Sequence, residues 1–169
     1  MFLNNWYTCI SAIITQISGV KCVTVDGTTA TCPINTSSSS IYNTLRLNYL
    51  MKTIPLGTHL KNVGAVFGTG NSAAIDDYTL SGTLLTSAHI SAVCSLAADY
   101  DNEGMTLTGT YTISNVSANE ITISEIGLVT YNSSVYCLVE HTVLDTPVTI
   151  PAGGVGQVTY TIRFNYPTA

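Results

Sequence analysis

Apolar and polar residues alternate along much of this chain, which is the pattern of β-strands with one buried face. The clearest alternation lies in Met105–Ile113, Ile121–Ile126 and Val158–Phe164, where Thr and Ser fill most positions between the apolar residues. Residues that favour turns separate such runs about every 8–12 positions from residue 63 to residue 166. Helix-length amphipathic segments are lacking between the runs, which excludes parallel βαβ units. The pattern therefore predicts a mainly β fold, an antiparallel β-sandwich of the jelly-roll or Ig-like type.

Two prolines mark one of these runs as an edge strand. Pro147 and Pro151 bracket Val148–Ile150, and the turn Ala152–Gly154 follows. Because proline cannot donate a backbone hydrogen bond, it is found in sheets mainly at edges and bulges. We therefore expect a short edge strand over residues 148–150.

The N-terminal residues follow a helical period instead. Residues 4–18 place apolar side chains at helical spacings, which forms one stripe of Trp6, Ile10, Ile13, Ile14 and Ile17. Asn4 or Asn5 can cap this helix and Gly19 can end it. Terminal helices usually pack on their own domain, but the alternative is that this one docks on a neighbouring subunit. In that case the assembly contacts are Trp6, Ile10, Ile13 and Ile17.

The cysteines are odd in number and contain no CxxC pair, which predicts neither a zinc site nor a complete disulfide framework. They are Cys9, Cys22, Cys32, Cys94 and Cys137. The turn signal Asp26–Gly27 predicts a two-residue hairpin in which Lys21 faces Cys32. That register places Cys22 and Cys32 on opposite faces of the ribbon. We therefore expect reduced, core-packed thiols.

The chain divides into three parts on these signals. Residues 1–20 form the N-terminal helix, and residues 63–169 form the β-sandwich domain. Between them, residues 21–62 contain the hairpin and then Pro33 and the polar run Thr36–Ser40, which suits an extended or flexible connection. We interpret residues 21–62 as a hairpin and extended arm.

Charge is scarce. Only 9% of the 169 residues are charged, against about 25% in a typical soluble domain. A β-rich surface with so few Lys and Glu residues has little to discourage edge-to-edge association. The composition therefore favours a protein that assembles with partners, and the alternative is a charge-poor or secreted monomer.

The distribution of charge excludes some partners. The net charge is −5, and the five basic residues stand singly as Lys21, Arg46, Lys52, Lys61 and Arg163. Nucleic-acid binding needs cations gathered on one face. The first basic residue lies too late for a secretory signal, and no run approaches the roughly 18 apolar residues of a membrane span. We expect neither nucleic acid nor a membrane as a partner.

A glycine motif imitates a dinucleotide-binding loop. Gly68–Ala73 matches GxGxxG/A after the apolar run 63–67. The motif needs a following helix that points its N-terminus at a pyrophosphate, but Asp76, Asp77 and Gly82 interrupt that helix. We interpret the glycines as a turn between strands and expect no cofactor.

An acidic run imitates the start of a calcium loop. Asp99, Asp101 and Glu103 precede Gly104, as in an EF-hand, but position twelve is Thr110 and strands flank the run. We interpret it as a solvated hairpin tip and assign no metal site, with weak calcium binding as the alternative.

No pattern of catalytic residues stands out. His59, His89 and His141 have no HxH or HxxxH partner, and a GxSxG elbow is lacking. Isolated carboxylates remain at Glu120, Glu125 and Glu140, and paired acid–base chemistry would require them to be close together. We therefore predict no enzyme and no catalytic residues.

An ordered set of three stretches carries a family resemblance. The stretches are Phe67–Gly70 with Asp76–Leu80, then Tyr111–Asn115 with Ile121–Leu128, then Val143–Gly154 with Val158–Ile162. Together, and with Asn4–Tyr7, they resemble small virion structural proteins of tailed bacteriophages, particularly those of gut bacteria. The resemblance spans about residues 63–164.

The resemblance implies a non-enzymatic β-sandwich protein of the capsid, neck or tail. We expect a capsid decoration or auxiliary head protein that forms a homo-oligomer and contacts other virion proteins, in a virion assembled in the host cytoplasm. The alternatives are a tail or neck component, or a receptor- or carbohydrate-binding module on the virion. The hypothesis for assembly is that sheet edges and loops meet neighbours while the helix or arm reaches another subunit.

Overall fold

The structure is a computed structural model that describes residues 2–5, 7, 20–31, 51–52, 54, 57, 63–132 and 135–165. Eight strands lie within these residues: β1 Lys21–Val23, β2 Thr29–Thr31, β3 Gly64–Gly68, β4 Ile90–Tyr100, β5 Gly104–Asn115, β6 Ile121–Asn132, β7 Val135–Ile150 and β8 Val155–Asn165. Strands make up most of the described chain, which confirms the predicted mainly β class.

Two three-stranded antiparallel sheets form the body of the protein. The first sheet has the strand order β3-β6-β7, and the second sheet has the order β4-β5-β8. β1 and β2 form a separate antiparallel hairpin. All three alternating runs that predicted strands fall within β5, β6 and β8.

Side chains from both sheets fill one shared core. Phe67 on β3 meets Tyr111 on β5 edge to face, with ring centroids 5.2 Å apart. Ile123 and Ile126 of β6 and Ile162 of β8 belong to the same buried cluster. The two sheets therefore pack face to face in a sandwich-like arrangement.

The second sheet has one buried and one exposed face. On β8, Val158, Tyr160 and Ile162 are buried, whereas Thr159 and Thr161 between them are exposed. This alternation is the one expected of a strand whose side chains point to opposite faces. It confirms the predicted apolar and Thr-bearing faces of this strand.

The middle of the first sheet is covered on both faces. Residues 123–130 of β6 are buried without interruption. A second apolar cluster lies apart from the shared core and consists of Leu3, Val25, Val66, Leu80, Val129 and Leu138. The N-terminal segment, the β1–β2 hairpin and the loop of residues 69–83 therefore cover the outer face of this sheet.

The β1–β2 hairpin differs by one residue from its predicted register. Lys21 pairs with Thr31, not with Cys32. The loop between the two strands has three residues instead of two. Its last residue, Gly27, adopts the left-handed conformation at φ +79, as is common in three-residue hairpin loops. The predicted register was therefore wrong, and Cys32, whose predicted face depended on that register, lies outside the described residues.

The predicted short strand over 148–150 is the end of a much longer one. β7 has 16 residues and is the last described strand of its sheet, so the edge position is confirmed and the short length was wrong. Glu125 pairs with Val143 and Ile123 pairs with Val148, which leaves four β7 residues opposite one residue of β6. Pro147 lies in this bulge, where the missing N–H interrupts no ladder.

Little of the predicted N-terminal helix and arm is described. Asn4, Asn5 and Tyr7 have helical backbone, but three residues do not establish a helix over 4–18, which stays a prediction. The Asn5 amide caps no described helix turn, because its Oδ1 accepts from Val23 N at 3.0 Å and its Nδ2 donates to Leu138 O at 3.1 Å. The candidate assembly contacts Trp6, Ile10, Ile13 and Ile17 lie outside the described residues.

Candidate functional site

The loop of residues 69–83 folds over the first sheet and surrounds one carboxylate. Gly70 N and Gly82 N donate to Glu125 Oε1 at 2.8 and 2.9 Å. Ser81 donates through both its N and its Oγ to Glu125 Oε2, each at 2.9 Å. Glu125 is fully buried. The loop therefore replaces the water that a carboxylate would otherwise require.

Glycine residues make this close approach possible. A Cβ on Gly70 would lie 2.6 Å from Glu125 Oε1 and would clash with Ser81 Oγ. One on Gly68 would also clash with Glu125, and one on Gly82 would clash with the Gly70 backbone. Gly70 of the glycine motif thus joins Ser81 and Gly82 in binding a carboxylate of its own chain.

His141 on β7 joins this carboxylate to a second one. Its Nε2 lies 2.9 Å from Glu125 Oε2, and its Nδ1 lies 2.8 Å from Asp77 Oδ2. His141 is fully buried, whereas Asp77 is partly exposed. Asp77 also accepts from Ala74 N at 2.7 Å, within the loop. We call Asp77, Glu125, His141 and Ser81 the buried polar network.

Charges within the network are mutually stabilising. Burial alone would raise the pKa of Glu125, but the hydrogen bonds from His141 and from the backbone of Ser81, Gly70 and Gly82 outweigh it and lower the pKa to about 2. Burial likewise opposes the charged imidazole, but Glu125 and Asp77 outweigh it and raise the pKa of His141. An imidazolium between two carboxylates follows from this arrangement.

The network does not have the geometry of a nucleophilic triad. Both ring nitrogens of His141 face carboxylates, so neither is left to take a proton from a hydroxyl. The Ser81 hydroxyl donates to Glu125 and not to the imidazole. What this arrangement does is fasten the 69–83 loop to β6 and β7.

A second candidate site is an open cleft between β7 and β8, each of which is an end strand of its sheet among the described residues. It has a volume of about 600 Å³ and is lined by Phe2, by β7 residues 140, 142–146 and 148, and by β8 residues 157–163. Side chains on one face of a strand recur at every second residue. Here consecutive residues line the cleft, so the edges of β7 and β8 border it. We call it the edge cleft.

The N-terminal segment closes one end of the edge cleft. Phe2 forms an isolated antiparallel bridge with Glu140, and Leu3 N donates to Val139 O at 3.0 Å. The ring of Phe2 lies 5.8 Å from that of Phe164, centroid to centroid. Backbone of this chain therefore already pairs with the edge of β7 at this end.

Polar groups line the floor of the cleft beside apolar ones. Glu140 is buried, and its Oε1 accepts from Thr142 Oγ1 at 2.6 Å. Burial, followed by the charge and hydrogen bond of Glu140, raises the pKa of the neighbouring Tyr160 phenol far above its usual value. Arg163 lies at the surface, next to Phe164 at the end of the cleft that Phe2 closes. The cleft thus offers backbone edges with a mixed polar and apolar lining.

The acidic run at residues 99–104 is the tip of the β4–β5 hairpin, as predicted. Asp101 Oδ1 accepts from Glu103 N and Gly104 N at 2.8 Å each. Arg163 contacts both Asp101 oxygens, at 2.9 and 3.0 Å. The Arg163 hydrogen bond is the main cause that lowers the pKa of Asp101 to about 2. The carboxylate at the third position of the calcium-like run is thus paired with an arginine.

The structure brings together two residues that the sequence left apart. Glu125 and His141 are 16 positions apart and share no motif, but the β6–β7 register makes them neighbours. Glu120 is exposed, Glu140 lies in the edge cleft, and His59 is outside the described residues. No local sequence signal could have located the network, because Gly70 and Glu125 are 55 positions apart and the β3–β6 pairing makes them neighbours.

Comparisons with protein-family models, with curated proteins and with solved structures found no match to this chain. In the described part of the chain, no helix is long and apolar enough to span a membrane. The fold and the two sites therefore carry the functional argument.

Proposed function

We propose that this chain is a non-enzymatic structural protein of a bacteriophage virion, a capsid decoration or auxiliary head protein that binds through protein–protein contacts. Its partners are other copies of itself and other virion proteins, and it acts within a particle assembled in the host cytoplasm. The finer fold of this proposal is a jelly-roll or Ig-like β-sandwich with an N-terminal helix and arm.

The edge cleft is the observation that carries the proposal. Two strand edges, those of β7 and β8, border one opening along consecutive residues. Such edges present backbone N–H and C=O groups that an extended segment of another chain can pair with. The bridge between Phe2 and Glu140 supports this use, because it is the same kind of pairing made within the chain.

The scarcity of charge supports the same role. Proteins that avoid edge association place Lys residues, other charges or Pro on their edges. Among the residues that line the edge cleft, the charged ones are Glu140, Asp145 and Arg163. Glu140 is buried and Arg163 pairs with Asp101. Little charge is left to repel an incoming strand.

The geometry of the buried polar network is consistent with a structural role. Both nitrogens of His141 and both oxygens of Glu125 are engaged by groups of the same chain. These groups fix a loop on the first sheet and leave the imidazole no lone pair to accept a proton.

Exposed tyrosines favour a second candidate, a carbohydrate- or receptor-binding module on the virion. Tyr78 and Tyr100 are 42% and 67% exposed, on the 69–83 loop and at the end of β4. Aromatic rings at the surface are suited to contacts with sugars and proteins. Binding on a glycan array that Tyr78→Ala and Tyr100→Ala abolish would favour this candidate over decoration.

Charged substitutions in the edge cleft test the proposed function. Thr146→Lys with Thr159→Lys adds two charges at exposed cleft positions. Ser91→Lys with Ser95→Lys adds the same charge on the exposed face of β4 and is the matched control. The measurement is the amount of tagged protein that co-sediments with particles grown in its presence.

We expect the cleft variant to lose incorporation by about tenfold or more while its melting temperature matches that of the control. The control variant should incorporate as the parent chain does. Equal incorporation of both variants would remove the edge cleft as the assembly surface, and no incorporation of the parent chain would remove the virion role altogether.

A further inference from the structure

Two buried cysteines meet where the hairpin docks on the body of the protein. The sulfur of Cys137 on β7 lies 3.4 Å from that of Cys22 on β1. The two residues are 2% and 3% exposed. They are 115 positions apart in sequence, so the contact is formed by the fold and not by a local motif.

The two sulfur atoms would need a short movement to form a covalent bond. A disulfide joins its sulfurs at about 2.05 Å, so the two atoms need to approach by about 1.4 Å. The segments that carry them are already held together, because Val25 N donates to Tyr136 O at 3.0 Å. Asn5 also bridges the same two segments through Val23 O at 2.8 Å and Leu138 O at 3.1 Å.

We propose that Cys22 and Cys137 form a disulfide that fastens the N-terminal hairpin to β7. The oxidant is a low-molecular-weight disulfide, and the step is thiol–disulfide exchange. One cysteine thiolate attacks a sulfur of the oxidant and releases one small thiolate. The second cysteine thiolate attacks the resulting mixed disulfide and releases the other. The two cysteine protons pass to the two released thiolates, so one small disulfide becomes two small thiols.

The burial of the two thiols determines when the thiol–disulfide exchange can take place. The thiols are enclosed while the hairpin is docked, so the oxidant reaches them when the hairpin lifts from β7 or before it docks during folding. Once formed, the bond closes a loop of more than 100 residues, a length for which cross-linking restricts the unfolded chain strongly. This inference does not depend on the proposed function.

The test maps disulfides in the full chain after oxidation. In one arm the folded protein is incubated with oxidised glutathione. In a second arm it is refolded from urea in a glutathione buffer, so that burial of the thiols in the folded protein cannot prevent the oxidant from reaching them. Remaining thiols are alkylated, and the chain is cut after Lys and after Asp and Glu. Cuts after Lys21 and Asp26 isolate Cys22, and cuts after Asp99 and Glu125 separate Cys137 from Cys94.

We expect a linked peptide that contains Cys22 and Cys137, and a rise in melting temperature on the order of 10 °C over the reduced protein. Cys22→Ser and Cys137→Ser should each lose both effects. Cys94→Ser is the matched control, because Cys94 lies on β4 of the second sheet and its thiol donates to Ser95 O at 3.5 Å. It should keep both effects.

Five alkylated cysteines after the refolding arm would overturn the inference, as would a linked peptide that joins other cysteines. Should a Ser variant fail to fold, Cys22→Ala and Cys137→Ala replace it, since Ala suits a buried site. The peptide map of the parent chain decides the pairing in either case.

Discussion

The two sheets bury their polar residues in opposite ways. The second sheet leaves one face to solvent, where Thr side chains of β8 and Ser side chains of β4 lie. The middle of the first sheet is covered on both faces, so its polar residues Glu125, Thr130, Glu140 and His141 are enclosed. Enclosed polar groups must find partners within the protein. The comparison shows that the same alternating sequence pattern gives a plain exposed surface in one sheet and a buried polar network in the other.

Removal of the Glu125 carboxylate should have the largest effect. Glu125→Ala leaves three backbone N–H groups and the His141 imidazolium without their acceptor, so we expect a loss of about 3–5 kcal/mol in unfolding free energy. Urea unfolding measures it. Glu120→Ala, at an exposed position, is the control and should change stability by less than about 0.5 kcal/mol. Equal effects of the two changes would mean that the network does not hold the loop.

A side chain at Gly70 should cost somewhat less. The added Cβ of Gly70→Ala meets Ser81, Gly82 and Glu125, and overpacking of this kind costs about 1–3 kcal/mol. Gly153, at φ +69 with nothing within 4 Å of an added Cβ, provides the control. Gly153→Asn suits the left-handed conformation and should be close to neutral. A neutral Gly70→Ala would contradict the described approach of the loop to β6.

Because of the network, the free energy of unfolding should decrease both at high pH and at low pH. The pKa of His141 is raised. The stability that its charge contributes is therefore fully present below about pH 6.5 and is lost as the pH rises through the raised pKa. The pKa of Glu125 is lowered to about 2. The stability that its carboxylate contributes is therefore present above about pH 4.3 and is lost as the pH falls towards 2.

The difference in unfolding free energy between the parent chain and His141→Asn should therefore be greatest between about pH 4.3 and 6.5. Denaturant midpoints over pH 3–9 measure this difference. A difference that is constant over that range would show that His141 does not carry a charge in the folded protein.

The smallest effect is expected on the exposed face of the second sheet. The hydroxyl oxygens of Thr108 and Thr161 lie 3.5 Å apart at the surface. Thr161→Val keeps the branched shape and the strand propensity, so stability should change by less than about 0.5 kcal/mol. Thermal melting checks this, and a loss above about 2 kcal/mol would mean that this face is not open to solvent.

The sequence was sufficient for β5 and β8 of the second sheet, because residue-by-residue alternation on these strands directly reports one buried face. It was insufficient where distant segments decide the environment. Nothing local indicates that the 69–83 loop encloses Glu125, or that a four-residue bulge places Pro147 inside β7. The hairpin register was wrong by one residue because Asp26–Gly27 also fits a three-residue loop with Gly27 left-handed.

The edge cleft likewise could not be predicted, because it depends on which strands end the two sheets. The Pro147 and Pro151 signal located an edge correctly, but its neighbour β8 was not identified as the second border. Fold class followed from local pattern, whereas both candidate sites depend on strand order and register.

The most direct test of the assembly proposal is a cryo-electron microscopy map of intact particles that contain this protein. We predict density for the chain on the capsid, with an extended segment of a neighbouring subunit paired along β7 residues 142–148 or β8 residues 157–163 in the edge cleft. A particle in which every copy leaves this cleft open to solvent, or from which the protein is absent, would contradict the account.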